Sequence, residues 1–206
     1  NYSNAFSLDW KPIEGLVLRT EATIGLNWRD ENRFWGALTG EGQKNNFQPV
    51  AKIEKRQSLR YIWTNTANYA FTVKKNHNLS FLLGQEIFHD QDKRNFQQNR
   101  YFPRAFEAQQ AWDNMGFGTP QDSYTSTSTP DRMSSFFGQA NYNFAHRYLL
   151  SLTMRADGSS KFAPGNQWGY FPSIAGGWVV SEEPFLKDME WINQLKLRAA
   201  VGMSGN

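Results

Sequence analysis

The sequence predicts an all-β fold, an antiparallel transmembrane β-barrel, and three observations lead there. Apolar and polar residues alternate with period two over many segments, the pattern of strands with one apolar and one polar face. Aromatic residues make up 16% of the 206 positions, with Phe 16, Trp 8 and Tyr 8, yet mean hydropathy is negative. Outward apolar and inward polar residues produce that combination in a membrane barrel. The connections between segments also alternate between short and long, as turns and loops do on the two rims of such a barrel.

About eight strands follow in order. In the first, from Tyr2, apolar Phe6, Leu8 and Trp10 alternate with Ser3, Ser7 and Asp9. A tight connection, Lys11 to Gly15, leads to a second strand with Leu16, Leu18, Ala22, Ile24, Leu26 and Trp28 on one face and Arg19, Glu21, Thr23, Asn27 and Arg29 on the other. At about 3.3 Å per residue such a strand crosses a hydrocarbon layer even when tilted. Residues 30–57 are polar and read as a long loop. The third strand sets Leu59, Tyr61, Trp63, Ala67, Tyr69 and Phe71 against Arg60, Thr64, Thr66, Asn68 and Thr72. After the turn Val73 to Asn78, the fourth sets Leu79, Phe81, Leu83 and Ile87 against Ser80, Gly84 and Glu86.

Residues 89–131 form the longest irregular stretch, charged, then aromatic, then a Ser/Thr run, and its length is that of a functional surface loop. The fifth strand, about Met133 to Phe144, turns at Ala145-His146-Arg147 into a sixth that carries Tyr148, Leu150, Leu152 and Met154. A loop at 157–168 precedes the seventh, about Gly169 to Ser181. The connection Glu182 to Asn193 is expected to hold a helical turn around Lys187 to Ile192, and the eighth strand runs from about Gln194 to Ser204. On this reading the loops 30–57, 89–131 and 157–168 face outside the cell.

No run of about 18 apolar residues exists, so a helical span is not predicted. There are no cysteines, and the net charge of +3 arises from mixed charges along the chain. Neither a thiolate metal site nor nucleic-acid binding gains support. The chain opens on Asn1 within an alternating pattern, without a signal peptide, and reads as an internal piece of a longer protein.

Few residues suggest chemistry. His77, His89 and His146 are far apart and lack metal-ligand spacing. No nucleophile elbow, phosphate-binding loop or zinc helix occurs, so no catalytic, cofactor-binding or metal residue is assigned and an enzyme is not expected. Asp157 to Ser160 reads as turn chemistry, the Asp157 side chain capping nearby backbone N–H groups. Glu182-Glu183-Pro184-Phe185 reads as a strand-ending turn. The stronger candidates for ligand or partner contact are Trp112, Phe117 and Tyr124 with Asn114 and Gln109. Aromatic faces stack on sugars or grip peptides while amides supply hydrogen bonds. Trp10, Trp28, Tyr61, Trp63, Trp168 and Trp178 read as aromatic girdles at lipid interfaces.

Two long stretches, RYLLSLTMRADGSSKFAPGNQWGYFPSIAGGWVVSEEPF (Arg147 to Phe185) and LKLRAAVGMSGN (Leu195 to Asn206), carry a resemblance, supported by FFGQANYNF (Phe136 to Phe144) and Asn65 to Glu86. They are similar to the signature region of the SusC/RagA-like TonB-dependent transporters of Bacteroidetes outer membranes. The resemblance implies a 22-stranded barrel, plugged by an N-terminal domain, that imports oligosaccharides or peptides. It also implies a SusD-like surface lipoprotein as lid, the TonB complex as energy source, and the rest of the same barrel and the lipid bilayer as neighbours. Asp157, Gly158, Phe171, Pro172, Gly177 and Trp178 match motif positions and carry an architectural role. The plug, the TonB-contacting segment and the remaining strands are not in these residues. Two alternatives stand beside this reading: a complete eight-stranded structural barrel, whose first and last strands would pair, and a soluble β-rich module that binds carbohydrate.

Overall fold

The computed structural model describes residues 1–186 and 192–204. Among the described residues nine strands form one sheet: β1 (Tyr2–Trp10), β2 (Leu16–Trp35), β3 (Val50–Val73), β4 (His77–Arg100), β5 (Thr119–Thr127), β6 (Asp131–Phe144), β7 (Tyr148–Ser159), β8 (Trp168–Val179) and β9 (Lys196–Gly202). Two short helices, α1 (Gly40–Lys44) and α2 (Ala108–Asp113), lie in the long connections. The strand order is β1-β2-β3-β4-β6-β7-β8-β9, with β5 paired to β4. Strands β1 and β9 stand at opposite ends of this order, so the closed eight-stranded barrel does not form. A single sheet with one apolar face exposed also departs from a soluble sandwich, which buries that face against a second sheet.

The strands are longer than the alternation suggested. β2 continues to Trp35, β3 begins at Val50 and β4 reaches Arg100, so the loops expected at 30–57 and 89–131 shrink to 36–49 and a segment at 101–118. The Ser/Thr run, expected to be irregular, is the ninth strand, β5; it pairs with β4 so that Phe96 faces Tyr124 and Asn95 faces Thr125. Its threonines and Tyr124 favour extended backbone. The third loop narrows to 160–167, and β8 stops at Val179, where a 3-10 turn (Val180–Glu182) takes over. The helical turn expected at Lys187 to Ile192 lies outside the described residues save for Ile192.

The chain divides into two compact units, one of residues 1–4, 24–60 and 90–130, the other of 5–23, 61–89 and 131–206. In the second, the register shows why alternation is the dominant signal. Across β6, β7 and β8, Tyr142, Leu150 and Gly176 align, as do Ala140, Leu152 and Ile174, and Gly138, Met154 and Pro172. Ile174 and Trp178 in turn face Val201 and Leu197 of β9. The other face carries Gln139, Asn141, Ser151, Thr153 and Arg155, the first three linked by hydrogen bonds. Asn141 donates to Ser80 (3.2 Å), Ser151 to Asn141 (2.7 Å) and Gln139 to Ser151 (3.2 Å).

Aromatic rows bound the apolar face. Tyr148 lies opposite Trp178 at one end of the β7–β8 pair, and Trp168 opposite Gly158 at the other. Ten residues separate the two tryptophans on β8. That is about 33 Å along a strand and about 25 Å across a bilayer for a strand tilted by 35–45°, the height of an outer-membrane apolar band. Three-residue connections close β3–β4 and β6–β7, with Lys74 and Lys75 at φ 49° and 63° and Ala145 and His146 at φ 53° and 57°. These are the paired positive φ values of a type I′ hairpin turn.

The other unit has its own small core of Ala51, Phe102, Ala111 and Met115, packed by Phe34, Ile53, Phe106 and Trp112. Thr39 caps α1 by accepting from the Gly42 N–H at 3.1 Å. A reciprocal capping box between Glu107 and Gln110 opens α2. Buried Asn99 donates to the Met115 carbonyl at 2.7 Å, fixing the chain after α2.

At Gly84 of β4 the Phe137 ring occupies the space a Cβ would need. Gly84→Ala therefore displaces that ring and is expected to destabilise the wall by about 1–3 kcal/mol. The gel-mobility transition of the full-length protein between folded and heat-unfolded forms should move to lower temperature.

Candidate functional site

The predicted contact residues fall in the first unit and differ in what they present. Trp112, on α2, is half-buried against the small core, and its indole N–H donates to the Arg33 carbonyl at 3.2 Å. Gln109 donates to Asp113 (2.8 Å) and Asn114 to the Gln110 carbonyl (2.9 Å), both within the helix. Phe117 touches the Phe106 ring at 5.6 Å between centroids and is 66% exposed. Tyr124 stacks on Phe96 at 5.0 Å with 18° between planes and remains 37% exposed. The open aromatic surface among the five is thus that of Phe117 and Tyr124.

Beside the Phe96–Tyr124 stack lies a charged cluster that the sequence reading did not single out. Glu54 of β3 is 2% exposed. It accepts from Arg94 of β4 at 2.8 and 2.9 Å, a bidentate pair. Lys52 at 2.8 Å and Arg56 at 2.5 Å complete its shell, and Lys52 also reaches Glu31 at 3.2 Å. The Arg94 guanidinium lies 5.2 Å from the Phe96 ring centre and 5.5 Å from that of Tyr124. One carboxylate therefore positions the cation that orders the aromatic stack. The available signal was an acid between two cations at every second residue, Lys52, Glu54 and Arg56; the third cation, Arg94, is 40 positions away.

The motif positions of the second unit lie in the β7–β8 ladder or directly beside it. Asp157, expected to cap backbone N–H groups in a turn, lies in β7, and its carboxylate is held by Arg155 at 2.8 Å. Arg155 also reaches Glu86 of β4 at 3.4 Å and lies 5.5 Å from the centre of the Phe137 ring. It thereby ties β7 to β4 across β6. A Cβ on Gly158 would stand 2.9 Å from the Trp168 ring, and one on Gly177 would stand 3.3 Å from the Leu149 side chain. Phe171 pairs with Arg155, and Pro172, opposite Met154, accepts through its carbonyl from the Met203 N–H at 2.9 Å.

Trp178 has a further role that its girdle position did not reveal. Its indole N–H donates to Glu183 at 3.0 Å, alongside the Tyr148 hydroxyl at 2.6 Å and Arg147 at 2.9 Å. Glu183, in the turn after β8, is 6% exposed. The Tyr148 hydroxyl first, then the Trp178 N–H and Arg147, hold its carboxyl below the usual range, against the opposing effect of burial.

Two expectations follow. Glu54→Ala leaves Lys52, Arg56 and Arg94 around a lost charge and should cost about 2 kcal/mol. The figure lies below the usual range for a broken buried pair because Arg56 and Arg94 reach water; faster amide exchange in 50–58 and 92–98 would register it. Glu183 binds its proton less readily when folded, so it contributes stability above the ordinary carboxylate value of about 4.3, and that contribution is lost as pH falls through the lower folded value. Acid-induced loss of the heat-modifiable band should be shallower in Glu183→Gln than in the parent protein.

The whole chain, residues 1–206, matches the TonB dependent receptor-like β-barrel family. TonB-dependent receptor P3 of Formosa agariphila is 35% identical over 213 aligned positions, covering 100% of this chain and 20% of that protein. TonB-dependent receptor SusC of Bacteroides thetaiotaomicron is 41% identical over 113 positions, covering 53% of this chain and 11% of that protein. The chain thus spans a fifth or less of the length of these two relatives. Among solved structures, the RagAB peptide transporter superposes on 97% of the chain and 22% of its own, with a TM-score of 0.85 at 19% identity, a likeness of fold. With the apolar band, the polar opposite face and the alternating connections in place, the chain belongs to the TonB-dependent receptor-like β-barrel family.

Proposed function

We propose that this chain is a section of the wall of an outer-membrane importer that takes up oligosaccharides or peptides. It works with a SusD-like surface lipoprotein as lid and with the TonB complex as energy source. The observation that carries the reading is the apolar face bounded by aromatic rows about 25 Å apart, backed by a polar hydrogen-bonded face. A wall of that kind separates lipid from a polar lumen. The likeness to SusC and to the RagAB peptide transporter supports the substrate classes and the lid.

In this reading the loops at 36–49, 101–118 and 160–167 face outside the cell, where Phe117 and Tyr124 meet the ligand or the lid. Trp112 packs α2 onto the small core and so holds the segment from which Phe117 projects. Transport then consists of binding by the outer elements and release through the lumen, with no bond made or broken.

Deleting the full-length gene should abolish growth on one oligosaccharide or peptide source, and loss of TonB should reproduce the defect. Normal growth on every such source overturns the proposal. In the full-length protein, Phe117→Ala combined with Tyr124→Ala should weaken binding of that substrate, or of the lid, by about threefold to tenfold. Isothermal titration of the purified protein checks this, with an unchanged heat-unfolding transition as control.

A further inference from the structure

The short-turn edge of the second unit carries cations that the fold leaves without ion-pair partners. The connection of residues 11–15 is joined to β3 where the Ala70 N–H donates to the Gly15 carbonyl at 2.9 Å. The β3–β4 turn is joined to the β6–β7 turn where the Ala145 N–H donates to the Asn76 carbonyl at 2.7 Å. These bonds bring the three connections to one edge. Lys11, Lys74 and Lys75 are exposed there, and none makes an ion pair among the described residues. Asp9, the carboxylate nearest Lys11 in sequence, is bound by Arg19 at 2.5 Å. Glu14 is the acid within these three connections, one carboxylate against the three lysines, and Glu183 after β8 is taken up by Arg147 at 2.9 Å.

The neighbours of these lysines are interfacial aromatics. Trp10 directly precedes Lys11 and is exposed. Tyr69 packs on Phe71 at 5.1 Å, three residues before Lys74, and Phe71 on Phe81 at 6.2 Å. Phe144 and Tyr148 flank the adjoining turn at 6.2 Å. A row of rings at the edge of an apolar face marks the depth where hydrocarbon gives way to headgroups. A lysine one to four residues beyond it carries its ammonium to the level of the phosphates. The two tight turns also differ in an informative way. Both hold non-glycine residues at positive φ, but the one beside β3 presents two ammonium groups and the one beside β7 presents Ala145 and His146.

We propose that Lys11, Lys74 and Lys75 form a binding edge for the phosphodiester headgroups of anionic phospholipid in the leaflet that surrounds the short turns. The proposal rests on the chain being a membrane wall. The edge selects charge rather than a particular headgroup: three flexible ammonium groups offer donors without the planar fork that arginine brings to a fixed geometry. Each lysine near an anionic surface strengthens association by about fivefold, and the effect weakens as salt rises.

The test uses the full-length protein in phosphatidylcholine nanodiscs with and without phosphatidylglycerol, released gently and examined by native mass spectrometry. The parent protein should retain phosphatidylglycerol in preference to phosphatidylcholine. K11Q/K74Q/K75Q should lower that preference at least fivefold, and K11R/K74R/K75R should restore it. Inorganic phosphate at the concentration of the headgroups should not displace the lipid. An unchanged preference in the glutamine variant overturns the site, and equal displacement by free phosphate overturns its assignment to lipid. Binding of an acidic soluble protein lost in parallel with an unchanged lipid count overturns it in favour of a protein partner. If the parent protein washes out of nanodiscs, the wall reading itself fails, whereas an inserted parent with an indifferent glutamine variant removes the lysine edge alone.

Discussion

Hydrocarbon offers no partner for a backbone N–H or C=O, and this constraint explains most of the second unit. Each strand must satisfy its neighbours, so β6, β7, β8 and β9 run in uninterrupted antiparallel register. Side chains are then free to differ by face. Positions that meet lipid are Leu150, Leu152, Ile174 and Val201, while their alternates carry Asn141, Ser151 and Arg155. Close approach follows from the same ladder, and Gly158 gives the Trp168 ring room that any larger residue would deny it.

That physics is also why much of the fold could be read from the sequence. Wherever one face meets an apolar medium, the two-residue period is strong, and the hairpins around Lys74-Lys75 and Ala145-His146 were placed correctly. Where a strand has polar surroundings on both faces the period vanishes. Residues 50–58 and 90–100 therefore looked like loop although they are strand, and the Ser/Thr residues of β5 looked like low complexity. The two-faced strands of the second unit were legible as such. The Glu54 shell was not, because its partners meet only once β3 and β4 are paired.

The first unit is held by other means. Its apolar core is small, with Ala51, Phe102, Ala111 and Met115 at its centre. Ion pairs and ring contacts do the ordering that a bilayer does elsewhere: Glu54 gathers three cations, Arg94 lies over two rings, and Asn99 fixes the carbonyl at Met115. Isolated surface pairs contribute little. A carboxylate that is 2% exposed with three cationic partners is instead a centre on which two strands agree.

The seat of α2 has an evolutionary consequence. Its contacts through Ala111 and Trp112 use the inward side of the helix, leaving the outward positions Gln109 and Asp113, and Phe117 just beyond, with few structural duties. Exchanging them leaves the fold energy nearly untouched. Within one family a fixed scaffold can thus diversify its outward chemistry residue by residue, and the helix seat is where this chain has room to do so.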